Sequence, residues 1–177
     1  MTECYGIFGF GGFARTIMPV VRMQYGLTEE QCFYVDREAS VAVSRHRVIS
    51  EGEFFSQHAD AKFAVAISDP AVRKRIFHKA IEGGARPFQV IASTAKLLTN
   101  IEIGSGAVLC DQTIITSDVK IGVGFHLNIF AYVEHDCVIG DFVTFAPRAS
   151  CNGNVVIGDG AYIGAGAVIK QGDPSKK

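Results

Sequence analysis

The sequence predicts two domains of different construction: a small α/β domain over residues 1–95 and a solenoid of stacked short strands over residues 96–177. Three observations carry this. Strand-like and helix-like segments alternate through the first half. From Ile101 onward the apolar residues recur at every sixth position instead. The 19 glycines of the 177 residues fall mostly at structured intervals, which marks a repeat rather than a flexible linker.

In the first half, Tyr5-Gly-Ile-Phe8 reads as a buried strand. It runs into the glycine-rich turn Gly9-Phe-Gly-Gly-Phe-Ala-Arg15 and then an apolar-periodic stretch, Thr16 to Met23, that predicts a helix. Gln31 to Val35 reads as a second strand ending at Asp36, and Lys62 to Ile67 as a third. Ser68-Asp-Pro70 is a helix start, with a capping side chain just before a proline. The helix over Ala71 to Gly83 stops at Gly83-Gly84. Strands spaced by helices imply a parallel sheet with helices packed on it. Arg73-Lys-Arg75 reads as a solvated face of that last helix.

In the second half, every sixth position from 103 reads Ile103, Leu109, Ile115, Ile121, Leu127, Val133, Ile139, Phe145, Cys151, Ile157, Ile163 and Ile169. At 48% hydrophobic composition, twelve apolar residues in that register arise by chance on the order of once in several thousand trials. Two residues earlier runs a mostly small or β-branched series from Ile101 and Ala107 to Ala161 and Ala167. Residues two apart share one face of a strand, so both series point inward. Glycine follows the aliphatic position at 104, 122, 140, 158 and 164, and the expectation is that it supplies φ > 0 at a tight corner. Each hexad is then a short strand plus a turn, and stacked hexads bury a shared column of side chains. The aliphatic series ends at Ile169, because the next sixth position is Ser175, in the tail Gly172 to Lys177.

Composition narrows the function classes. A formal net charge of −1 gives no electrostatic case for nucleic acid. No apolar run is long enough to span a bilayer. The N-terminus has no basic region before its first strand, which argues against a signal peptide. Five cysteines without a C-x-x-C pair fit small apolar thiols in a reducing cytoplasm.

The hexad pattern resembles the bacterial hexapeptide acyltransferases. The whole chain resembles the sialic acid O-acetyltransferase and UDP-4-amino-sugar N-acetyltransferase group. That resemblance implies a Rossmann-like α/β N-terminal domain that holds a nucleotide-linked sugar. A left-handed parallel β-helix follows it, in which three hexads make one triangular coil. It also implies acetyl-CoA as acyl donor, a homotrimer, and further C-terminal coils that this chain lacks.

Acyl transfer from a thioester needs a base, a donor to the developing oxyanion, and a positioned acceptor. Tyr132-Val-Glu-His-Asp-Cys-Val-Ile-Gly-Asp-Phe142 resembles the family's catalytic segment, which assigns His135 as base and Asp136 as the carboxylate that orients it. Gly153 stands eighteen residues after His135, hence one layer along, where a missing side chain would leave room for a thioester and a backbone N–H for its carbonyl. By resemblance, Ala165 contacts the pantetheine arm. Thr144 occupies the place where some relatives carry a donor-binding histidine, and it retains a hydroxyl there.

Gly9-x-Gly11-x-x-Ala14 after a strand, with Asp36 ending the next strand, is a loose phosphate-binding fingerprint. The resemblance turns it toward a nucleotide-sugar, with Gly12, Phe13, Ala14, Asp36, Arg37 and Ser68 facing the substrate. Phe13 replaces the histidine usual there. Three other readings stay open: a nicotinamide- or nucleotide-binding oxidoreductase or regulator, a non-catalytic trimeric scaffold, and a metal site. The metal site is disfavoured because the repeat half holds two histidines, His126 and His135, where three would be needed.

Overall fold

The computed structural model describes residues 3–37, 46–58 and 60–173, so Ser175 lies outside the described residues. The chain forms two compact units, Met1–Val90 and Ile91–Lys177.

The first unit is a five-stranded sheet of β1 (Tyr5–Phe8), β2 (Cys32–Asp36), β3 (Val48–Ser50), β4 (Lys62–Val65) and β5 (Arg86–Pro87), in the order β3-β2-β1-β4-β5 and all parallel. The helices are α1 (Gly12–Tyr25), α2 (Glu51–Gln57) and α3 (Pro70–Glu82). The chain moves outward from β1 through β2 to β3, then crosses back to β4 and β5 on the other side. With right-handed crossovers, α1 covers one face of the sheet and α2 and α3 the other. The reversal between β1 and β4 is the topological switch point, where an open α/β sheet has its ligand crevice.

Helix α1 begins earlier than the sequence predicts, inside the glycine turn itself. Gly11 is its extended N-cap, and Ala14, Ile17, Met18 and Val21 form its buried stripe at i, i+3, i+4, i+7. It ends at Gly26 in the left-handed region, φ 64°, whose N–H donates to the Arg22 carbonyl. Helix α3 starts as expected, with Asp69 Oδ1 accepting from the Val72 N–H at 2.9 Å and Pro70 in the first turn. Strand β3 and helix α2 lie outside the elements the sequence predicts. Three residues are too few to show a period, and the signal that was present is Ser50, whose hydroxyl accepts from the Glu53 N–H at 3.1 Å. The buried faces of sheet and helices meet in an aromatic core, in which Phe8 packs edge-on against Phe54 at 4.8 Å and Phe63 against Phe77 at 5.3 Å.

The second unit is a left-handed parallel β-helix. Val108–Leu109, His126–Leu127, Thr144–Phe145 and Tyr162–Ile163 stack as one face. Tyr132 pairs with Ile114 and Ser150, and Val138 with Lys120 and Val156, on the other two. Every pairing joins residues eighteen apart. Both sequence series point inward: Leu109, Ile115, Leu127, Val133, Phe145 and Cys151 interleave with Ala107, Val119, Phe125, Ala131, Cys137 and Ala149 in one core. The winding begins before Ile101, since Lys96–Ile103 already pairs in register with Ile114–Ile121.

The corners correct one expectation. The glycines at 104, 122, 140, 158 and 164 do not have positive φ. The left-handed residues are Asn100, Gly106, Gln112, Asp118, Gly124, Phe130, Asp136, Phe142, Arg148, Asn154, Gly160 and Gly166, again every sixth residue. The glycines that follow the aliphatic positions serve close approach instead. A Cβ on Gly140 would stand 2.7 Å from the Asp159 nitrogen and 2.9 Å from the Gly158 carbonyl carbon. Only a bare backbone fits between the coils there.

The same repeat position is therefore unequal along the helix. Gly158 has nothing within 4 Å of a built Cβ. Gly140→Ala should destabilise the protein by about 1–3 kcal/mol through overpacking, whereas Gly158→Ala should stay within about 0.5 kcal/mol of wild type, as read by denaturant titration.

Candidate active site

His135 follows the short strand Tyr132–Val133 and sits at a corner of the β-helix, with 45% of its side chain exposed. The next residue, Asp136, is one of the left-handed residues, at φ 57°, and its N–H donates to the Ser117 carbonyl at 3.0 Å. Aspartate tolerates this conformation better than most residues. With that turn in place, His135 Nδ1 lies 2.8 Å from Asp136 Oδ2. A carboxylate only accepts, so a neutral ring in this bond carries its proton on Nδ1 and presents the Nε2 lone pair. The Asp136 hydrogen bond also favours the imidazolium, and it raises the His135 pKa above its ordinary value.

Gly153 lies one coil along, as its spacing requires, but what occupies its missing side chain differs from the expectation. A Cβ there would overlap the His135 ring, 2.6 Å from Nε2 and 2.9 Å from Nδ1. The vacated space seats the imidazole rather than a thioester. The seat is held from below, because Asn154 N–H donates to the His135 carbonyl at 2.9 Å. The Cys137 thiol donates to the Asn152 carbonyl at 3.3 Å and lies 4.0 Å from Cys151 Sγ. Both thiols are fully buried. Cys110 is also in the interior, and burial pushes its thiol up to about 12.

Two donor-side assignments divide. Ala165 is exposed. Thr144 is not: it is 1% exposed, in register with the equally buried His126, so its hydroxyl presents no surface to a donor in this chain. Among the described residues no three His, Cys, Asp or Glu side chains are grouped to hold a metal.

In the first unit a cavity of about 180 Å³ opens at the C-terminal ends of β1, β2 and β4, at the switch point. Gly9, Asp36, Arg37, Ile67 and Arg75 line it. The Asp36 carboxylate accepts from the Arg37 N–H at 2.8 Å. Gly12, Phe13, Ala14 and Ser68 lie outside this lining. Gly12 is exposed, with open space where a Cβ would be, and Phe13 is half-buried. The Ala14 side chain is fully buried, so in this turn only its backbone can face a ligand. Ser68 is exposed.

A wider groove of about 300 Å³ runs along α1, lined by Met18, Arg22, Glu29, Tyr34 and His46. Its Arg22 is already paired with Glu29 at 2.8 Å, and it lies away from the strand ends, so the smaller cavity is the better ligand site.

Arg73 overturns its reading as a solvated residue. It is 1% exposed, and its Nη1 donates to the Ile67 carbonyl at 2.8 Å and the Ser68 carbonyl at 3.0 Å. Burial lowers its guanidinium to about 10. The signal was legible, because 73, 76, 77 and 80 are the buried stripe of α3.

Residues 6–80 match the family described as the PglD N-terminal domain. The chain is 39% identical over 180 residues to GDP-perosamine N-acetyltransferase of Escherichia coli O157:H7, covering 97% of this chain and 80% of that protein. The chain belongs to the hexapeptide-repeat nucleotide-sugar acetyltransferases. Among solved structures, WeeI from Acinetobacter baumannii AYE superposes with a TM-score of 0.95 at 43% identity, covering 99% of this chain and 84% of that one. The acetyltransferase domain of PglB from Neisseria gonorrhoeae FA1090, solved with acetyl coenzyme A, shares the fold, with a TM-score of 0.85 at 23% identity over 97% and 83% of the two chains. Among the described residues of this acetyltransferase no helix is long and apolar enough to cross a membrane.

The seat beneath His135 is open to a direct check. Gly153→Ala should displace the ring, break its bond to Asp136 and let the His135 pKa fall back toward ~6.5. Imidazole resonances followed by NMR through a pH titration would show this, and an unchanged titration would remove Gly153 from the role.

Proposed function

We propose that this protein transfers the acetyl group of acetyl-CoA to the amine of a nucleotide-linked amino sugar, with His135 as general base. The observation that carries this reading is the His135–Asp136 pair, whose half-exposed ring makes no hydrogen bond through Nε2 among the described residues and is seated against the bare backbone of Gly153. Nε2 takes a proton from the acceptor nitrogen as that nitrogen attacks the thioester carbonyl. Asp136 stabilises the imidazolium that results. The backbone N–H of Gly153 supports the oxyanion. When the C–S bond breaks, the imidazolium returns its proton to the departing CoA thiolate. One C–N bond has formed, one C–S bond has broken, and the ring is neutral again.

In this reading residues 1–95 hold the nucleotide-sugar and residues 96–177 the donor. Asp36 suits ribose hydroxyls, Arg37 and Ser68 flank them, and the backbone of Gly12, Phe13 and Ala14 offers N–H groups at a helix start. Ala165 and Gly153 run beside the acyl arm. The relative at 39% identity is named for GDP-perosamine, so a GDP-linked amino sugar is the first acceptor to assay.

The assembly in this reading is a homotrimer, with the donor between β-helices of neighbouring subunits. Val138 at 44% and Val156 at 67% exposure, in register on one face of the β-helix, support it as adjacent aliphatic surface suited to burial against a second copy. Reduced thiols suit a cytoplasmic location.

His135→Ala should lower turnover by ~10²–10⁴ in an acetyl-CoA assay against a panel of nucleotide-linked amino sugars, and undiminished turnover would reject the base. The pH profile gives a second check. A base must be neutral, and Asp136 raises the His135 pKa, so kcat/KM should fall as pH drops through a value above 6.5. In Asp136→Asn that limb should move to lower pH, with a smaller plateau.

A further inference from the structure

We propose that Arg75 is the cation that holds the diphosphate of the nucleotide-sugar. This rests on the nucleotide reading of the crevice and adds to it a residue that the sequence leaves on a solvated helix face. Arg75 lies one turn into α3, outside its buried stripe of Arg73, Ile76, Phe77 and Ala80, yet it lines the switch-point cavity with Gly9, Asp36 and Ile67.

Two cations, Arg37 and Arg75, and two carboxylates, Asp36 and Glu51, line the cavity. Of its two carboxylates, Glu51 is committed to Lys79 at 2.8 Å. Asp36 stands beside Arg37 in sequence and accepts from its N–H. Arg75 makes no hydrogen bond or ion pair among the described residues. Arg37 is the cavity's other guanidinium without such a partner among the described residues, but it follows the end of a strand beside Asp36, whereas Arg75 is carried on a helix; Arg15 is engaged with the Phe10 carbonyl, Arg22 with Glu29, Arg47 with the Glu30 carbonyl and Arg86 with Glu3. An unmatched guanidinium on a rigid helix at the mouth of a crevice calls for an anion.

The surroundings suit a phosphate. Buried Arg73 engages the Ile67 and Ser68 carbonyls, two oxygens that would otherwise repel a polyanion at that strand end. Gly9 lines the cavity as bare main chain at φ 103°. Guanidinium presents a planar fork that matches phosphate oxygens two at a time. Because it reads the diphosphate, this contact is indifferent to the nucleobase.

The experiment is calorimetric binding of GDP and of UDP to the full chain and to Arg75→Gln at two salt concentrations, with melting temperature as the control for folding. The expected result is about a tenfold or greater loss of affinity for both nucleotides in Arg75→Gln, a flatter salt dependence and an unchanged melting temperature. Affinity unchanged in the variant would overturn the inference, as would a loss confined to one nucleobase or one tracking a lower melting temperature. In each of those cases the nucleotide reading would stand. A wild-type chain that binds neither GDP nor UDP would bring down both.

Discussion

The structure depends on one backbone constraint: every sixth residue of the second unit must bend through the left-handed region. That bend closes three short strands into a coil, and the closure places residues eighteen apart in contact. A left-handed residue is unfavourable for most side chains, yet Phe130, Phe142 and Arg148 adopt it here just as Gly106 and Gly124 do. The continuous apolar column inside the coils offsets that cost. Phe125 against Phe145 at 5.7 Å, with Leu127, Val133 and Ile139 around them, is a core that exists only if the corners turn.

The chemistry borrows this constraint. Asp136 is one of the bent residues, and its bend is what lets adjacent side chains meet ring to carboxylate. Gly153 is the residue stacked over His135 by the coil length, and its bareness seats the ring. A base, the carboxylate that orients it and the surface on which it rests thus come from a turn and a layer spacing. They need no loop of their own, and sites carried on regular elements hold their geometry more closely than sites on loops.

The first unit solves a different problem with the same economy. Reversal of strand order opens a crevice at the strand ends, and α3 supplies both its hidden brace and its exposed charge within three residues. Arg73 faces inward and ties down the carbonyls after β4, and Arg75 faces the cavity. Helical period separates the two roles: positions two apart on a helix face different directions.

Much of this was legible in the amino-acid order. The hexad register, the eighteen-residue partnership of His135 with Gly153, the strands at Tyr5 and Lys62 and the capped start of α3 all follow from periodicity and local capping, which act over a few residues. Other features were settled only by the fold. Which hexad position turns left-handed depends on how coils stack, so Gly140 proved to be a contact between layers and not a corner. The Thr144 and Ala14 side chains lie inside because burial is a property of the packed whole. Sequence determined the repeat and the chemistry available to it; tertiary packing decided which of those groups reach a ligand, because accessibility arises only when segments far apart in the chain cover one another.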